Sequence, residues 1–285
     1  MTRMPPTNLR SLETRLRNLA RAQAVPERRL RRLVGIVILG QLLARTGAAA
    51  IKGASNIEVR VGTRGTRVSS DLDTVRSVSI DRFQDEFAAA LRAGWAGFTG
   101  LLVDDGEIDT REPGGYRPHR YRAKLEYVGR PFGTITVEVA PEEVDALTNL
   151  ETIAVHDAAD WFDELGLPAP QPVPALPLTH QIAQKLHACT TPDDDTWIND
   201  RAHDLVDLQL AARVYPGPMA EIREVAVRLF AARNTHVWPP LVTARTGWQT
   251  RYTAEADGLD VLPTLDDAIA WVNDFIAQIE VSAPH

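Results

Sequence analysis

Apolar and polar positions alternate with two different periods along this chain. From Asn8 to Ala22, Leu9, Leu12, Leu16 and Leu19 recur at spacings of three and four, which places them on one face of a helix. Pro26 restarts the chain into a second helix, roughly Glu27 to Thr46, which Gly47 ends. The turn Lys52-Gly53-Ala54-Ser55 is followed by a short helix or strand to Val61, a Gly/Thr/Arg connection, and a strand around Val68 to Thr74. Asp81 is placed to cap a helix from Arg82 to Ala93 whose apolar face holds Phe83, Phe87 and Leu91. The period then becomes two. Gly100 to Asp104, Tyr121 to Tyr127 and Gly133 to Val139 read as strands, the last two joined as a hairpin through Gly129-Arg130-Pro131-Phe132, and Asn149 to Val155 adds another. Five prolines between Gly166 and Pro177 mark a stiff connection. Beyond it the pattern is helical: Leu178 to Ala188, Asp200 to Val214, Pro218 to Ala232 and Leu265 to Ile279. This order describes a mixed α/β lobe, residues 1–165, followed by a helical lobe, residues 166–285.

Composition narrows the class without naming a function. A chain of 285 residues, 44% apolar and 24% charged, can bury a large core as one big domain or two modest ones. The longest apolar run, Leu33 to Leu43, is broken by Gly35, Gly40 and Gln41 and is too short to span a bilayer. With no secretory leader in view, the expected location is the cytoplasm, with no membrane partner. A single cysteine, Cys189, rules out an internal disulfide and a cysteine-rich zinc site. Charge divides unevenly: residues 1–70 hold 14 Lys/Arg against three Asp/Glu, and the remainder 17 against 35. Such a split fits either a basic surface for a polyanion or pairing between the two halves of one chain.

The cations carry a sharper signal. There are 28 arginines and only three lysines, Lys52, Lys124 and Lys185. A compact ammonium differs physically from a planar guanidinium, so each lysine is a position to examine for chemistry. Asp71 and Asp73 lie two apart and share one face of a strand, where two carboxylates can hold a hard cation such as Mg²⁺ through oxygen ligands. A third carboxylate from a neighbouring strand would complete the site; Glu138 and Glu126 are the candidates. Gly53-Ala54-Ser55 can bring backbone N–H groups near a phosphate. Asp204 and Asp207, at i and i+3, can orient Lys185 toward a triphosphate or form a plain salt bridge with it. His180, His187 and His203 lack a zinc-ligand spacing with carboxylates.

Four segments in order, Lys52-Gly53-Ala54-Ser55, Arg67-Val68-Ser69-Ser70-Asp71-Leu72-Asp73, Ile182-Ala183-Gln184-Lys185-Leu186-His187-Ala188 and Arg201-Ala202-His203-Asp204-Leu205-Val206-Asp207-Leu208, resemble the AbiEii/MenT nucleotidyltransferase toxin family over about residues 30 to 215. The resemblance implies an α/β (α+β) fold, a polymerase-beta-type nucleotidyltransferase lobe with a mixed sheet followed by a mostly helical lobe. It implies the toxin of a bacterial toxin–antitoxin pair, partnered by a cognate antitoxin. The implied activity moves a nucleotide from an NTP to the 3′ end of tRNA, which blocks aminoacylation. Carried over, Asp71 and Asp73 bind Mg²⁺, with Glu138 as third ligand; Lys185 contacts the NTP phosphates and Asp204 supports it. Lys52, Gly53, Ser55, Arg67 and Ser69 form the nucleotide-binding set. Ala54 and His203 depart from the residues usual at their positions. Rival acceptors are a protein side chain or a small molecule, and a further reading is a catalytically degenerate binding subunit.

Overall fold

The computed structural model describes residues 3–67, 69, 71–109 and 116–282. The N-terminal third follows its apolar period. Helix α1 (Leu9–Ala22) is capped by Asn8, whose side chain accepts a hydrogen bond from Ser11 N at 2.9 Å, and it buries Leu12, Leu16 and Leu19. Helix α2 (Glu27–Thr46) stops at Gly47 in the left-handed conformation. A Cβ at Gly35 would sit 2.5 Å from Ile135 Cδ1, so α2 lies close against the sheet and a larger residue there would require the Ile135 side chain to shift. Strand β1 (Ala49–Ile51) leads into helix α3 (Gly53–Val61), which decides between helix and strand for that segment.

Strand β2 (Asp71–Arg76) starts at the acidic pair; the expected start, Val68, lies outside the described residues, as does Ser70. Helix α4 (Ile80–Ala93) begins earlier than its pattern implied. Ser79, not Asp81, is the cap, because its hydroxyl lies one residue before the first helical turn and accepts from Arg82 N. Strands β3 (Phe98–Glu107), β4 (His119–Tyr127) and β5 (Arg130–Pro141) are longer than the sequence suggested, and β6 is the short Glu151–Ile153. Helix α5 (Ala158–Leu165) follows. The proline-rich connection contains a strand, β7 (Val173–Ala175).

One mixed sheet in the order β3-β4-β5-β2-β1-β7-β6 joins these strands. β2 runs parallel to β5 and antiparallel to β1, and β7 pairs parallel with β1. One sheet face carries Leu72, Ala123, Leu125, Val137 and Val139 into a core shared with α1, α2, α4 and α5. Each fully buried leucine or phenylalanine there contributes roughly 1.5–3 kcal/mol. The remaining helices, α6 (Leu178–Thr190), α7 (Ala202–Val214), α8 (Met219–Arg233), α9 (Trp248–Ala256) and α10 (Leu265–Val281), enclose a second core. Ile57 of α3 belongs to that second core, so α3 is anchored among the helices while its first turn touches the sheet. No helix among the described residues is long and apolar enough to cross a membrane.

Candidate active site

Strand alternation builds the acidic face. On β2, Leu72 enters the helix-covered core, so Asp71 and Asp73 project from the opposite side. Parallel pairing sets Asp73 beside Glu138 and Asp71 beside Thr136. Glu126 pairs instead with Pro131 near the hairpin turn, well away from β2. Register therefore favours Glu138 as the neighbouring carboxylate. Burial pushes the Asp73 carboxyl up to about 6; Lys52 and Lys185 oppose that rise, and Glu138 and Asp71 add to it.

The Lys52 turn is fitted to this carboxylate. Lys52 N donates to Asp73 O at 2.9 Å, and Gly53 takes φ +66° at the first position of α3. A Cβ on Gly53 would lie 2.0 Å from Asp73 Oδ2, so both the left-handed backbone and the close approach require glycine. The N-terminal, electropositive end of α3 thus abuts Asp73. Gln181 of α6 clasps the turn: Gly53 N donates to Oε1 at 2.9 Å, and Nε2 donates to Gly53 O at 3.2 Å. Ser55, expected at a phosphate, is fully buried and donates to Asp71 O at 2.9 Å, so it steadies the strand from beneath. Ser69 donates to the same carbonyl at 2.9 Å.

A buried ionic network lies behind the pair. Lys185 Nζ donates to Asp204 Oδ1 at 2.7 Å and Asp207 Oδ2 at 2.6 Å, and Arg67 makes a two-pronged pair with Asp207 at 2.8 and 2.7 Å. Lys185 is 7% exposed and both aspartates are buried, which sets this apart from a surface bridge. Burial alone would lower the Lys185 ammonium, but Asp204 and Asp207 outweigh it and hold it above its ordinary value. Burial would likewise raise both carboxyls; Lys185, with His203 and Arg201 at Asp204 and Arg67 at Asp207, holds them low. Arg67 is committed to Asp207 in this arrangement.

Several participants carried no signature in the sequence. Lys52 Nζ donates to the Tyr116 hydroxyl at 3.0 Å, and the Arg233 guanidinium lies 5.6 Å from the same ring. Burial would lower the Lys52 ammonium; Tyr116, Asp73 and Glu143 prevail and raise it. Arg32 donates to Asp71 O at 3.3 Å and faces the buried Glu58 at 3.5 Å, with Arg29 at 3.7 Å. Arg120 holds Glu138 Oε1 at 2.7 Å. Gln181 and Lys185 are i and i+4 on one helix, the single spacing that could have linked the clasp to the lysine.

The basic N-terminal segment is largely absorbed within the fold. Arg29 and Arg32 face Glu58, Arg31 pairs with Glu13, and Arg60 with Glu151, while Arg3, Arg15 and Arg45 donate to backbone carbonyls. Arg10, Arg21 and Arg28 remain exposed, as does Arg64.

Among the described residues no three His, Cys, Asp or Glu side chains converge as a ready cation cage, since Glu138 is turned to Arg120. The donor set nevertheless fits a hard divalent cation: two carboxylates share one face, a third stands in register, and enclosed like charges lack full compensation.

Comparison with known proteins gives this arrangement a context. No curated protein matches the chain in sequence. Among solved structures it is similar to MenT4, a nucleotidyltransferase toxin from Mycobacterium tuberculosis H37Rv. The TM-score is 0.59 with 18% identity, covering 95% of this chain and 90% of that one, which shows a shared fold. The family model described as the nucleotidyl transferase AbiEii toxin of type IV toxin–antitoxin systems matches residues 42–273, a span that contains Lys52, the acidic pair, Lys185 and Asp204. The chain therefore belongs to the AbiEii family of nucleotidyltransferase toxins.

Proposed function

We propose that this toxin is a Mg²⁺-dependent enzyme that transfers a nucleoside monophosphate from an NTP to the 3′ end of tRNA, blocking aminoacylation and hence translation. The observation that carries the reading is the Asp71–Asp73–Glu138 face, with the Lys52 and Lys185 ammoniums both acting on Asp73. In the reaction the terminal ribose hydroxyl gives up its proton to solvent as its oxygen bonds to the α-phosphorus, the bond from that phosphorus to the bridging oxygen breaks, and pyrophosphate leaves with the electron pair. Bound Mg²⁺ would activate the attacking hydroxyl and neutralise the leaving pyrophosphate. Asp71 and Asp73 would hold it, with Glu138 once released from Arg120. Lys52 and Lys185 are fixed cations beside Asp73 that offset the charge of a triphosphate in a partly desolvated site. Asp204 and Asp207 orient Lys185, and the Gln181 clasp keeps the α3 N-terminus against Asp73. The cognate antitoxin implied by the family would restrain this activity.

The test incubates the purified protein with total tRNA, magnesium and each α-labelled NTP in turn, beside the Asp71→Ala variant. Label on tRNA that disappears in the variant and on chelation by EDTA is the expected result. Label on protein or on a small molecule alone would replace tRNA as acceptor, and a fully active Asp71→Ala would sink the mechanism.

A further inference from the structure

The sheet face that carries the acidic pair continues across β5, β4 and β3, with no covering helix among the described residues. Three cations stand on it at alternate positions of β4: Arg120, Arg122 and Lys124. Their cross-strand partners are Glu138, Thr136 and Thr134 on β5, and the first two of these lie beside Asp73 and Asp71. The rows therefore read outward from the acidic pair as Asp73–Glu138–Arg120, then Asp71–Thr136–Arg122, then Thr134–Lys124. Four residue steps along β4 carry the strand from Arg120 to Lys124, about 13 Å at the rise of a β-strand. Next to Lys124, Leu101 on β3 is 60% exposed.

Burial on the other side of the same strands makes this exposure informative. Tyr121, Ala123 and Leu125 are sealed in the core, so the cationic face is not a general loosening of the sheet. Arg120 and Arg122 pair with Glu138 and Asp105, but both arginines are close to half exposed, where solvent and salt screen such pairs. A polyphosphate can compete with them. The side chain of Lys124, one of three lysines in the chain and the one the site leaves unused, makes no hydrogen bond or ion pair among the described residues and only attracts Asp105 from a distance.

We propose that this open face is the track for the acceptor: the single-stranded 3′ segment of an RNA. Its phosphates meet Arg120, Arg122 and Lys124 in succession, a base lies against Leu101, and the terminal ribose reaches Asp71 and Asp73. Two features commit the face to this occupant, the run of cations matched to a phosphodiester chain and unbroken continuity with the acidic pair. The proposal rests on the RNA-transfer reading above and adds the path to it.

The experiment measures binding of a labelled single-stranded oligoribonucleotide by anisotropy across a salt series, together with nucleotide transfer to tRNA. It compares the wild type with Lys124→Gln, Arg122→Gln/Lys124→Gln and an Arg10→Gln/Arg21→Gln control on α1. Each cation removed from the sheet should weaken RNA binding several-fold and flatten the slope of log K against log salt by about 0.7. The KM for NTP should stay at its wild-type value, because these side chains lie off the nucleotide cluster, and the melting temperature should not move. Wild-type affinity and slope in the double variant, with tRNA still labelled, would overturn the track alone. Weakening confined to the α1 variant would move the acceptor to the N-terminal helices and also overturn it. A wild-type protein that labels no RNA would remove the parent reading, and the track with it.

Discussion

Residue 53 leaves the backbone of the site little latitude. An alanine there would force its Cβ to 2.0 Å from Asp73 Oδ2 and strain a φ of +66°. The left-handed conformation alone costs about 1–2 kcal/mol, and the collision moves the carboxylate. Gly53→Ala is therefore expected to reduce transfer to the level of Asp73→Asn while the protein still melts cooperatively, which activity assays and calorimetry on the same samples will check. Magnesium added without nucleotide should raise the wild-type Tm and leave that of Asp71→Asn/Asp73→Asn unchanged; an equal rise in both would remove these carboxylates as its ligands. The acidic pair was legible because two residues suffice to define a strand face. The third carboxylate was not, because Glu138 and Glu126 sit on similar strands and only the β2–β5 register separates them. Tyr116 was illegible for a different reason, as its contact with Lys52 joins positions 64 residues apart.

At the scale of elements, α6 and α7 are held together by charge buried inside an apolar interface. Lys185→Met would leave Asp204 and Asp207 enclosed with one partner fewer, and removing one member of such a network typically costs about 3–5 kcal/mol. Chemical denaturation should show that loss, and adding Asp204→Asn and Asp207→Asn should recover part of it. The pH dependence has a definite sign. Both carboxyls are held below their ordinary values, so their contribution is complete above the unfolded carboxylate range near pH 4 and is lost as pH falls through the depressed folded values. The acid limb of the wild-type stability curve should flatten in the Lys185→Met/Asp204→Asn/Asp207→Asn triple variant; an unchanged limb would assign acid sensitivity elsewhere. Helix α2 was legible through Pro26 and Gly47 at its ends, and α4 and the hairpin strands through repeated period. The three-residue strands β1 and β7 were not, since three residues hold no period and β7 is hidden among prolines. Helix α5 and helix α9 escaped similarly, each spanning about two turns.

Over the whole molecule the two cores meet at the site. The uneven charge of the sequence resolves mainly inward, with arginines of the first 70 residues paired to acids as distant as Glu151 and Asp207. The sheet itself joins β1 to β7, which lie far apart in the chain, and the Gly53 clasp joins positions 128 residues apart. The Arg67–Asp207 pair spans 140 residues. These separations give the molecule a timetable during its own synthesis. At roughly 5–20 residues per second, on the order of ten seconds pass between translation of Arg67 and translation of Asp207. Until Gln181 is made, Asp71 and Asp73 lack their clasp, and until Asp207 is made, Lys185 lacks one of its two orienting carboxylates. Nascent chains arrested before residue 207 should accordingly transfer no label, whereas released full-length chains should. Under the proposed reading, a growing chain therefore gains no transfer activity until Asp207 has been made.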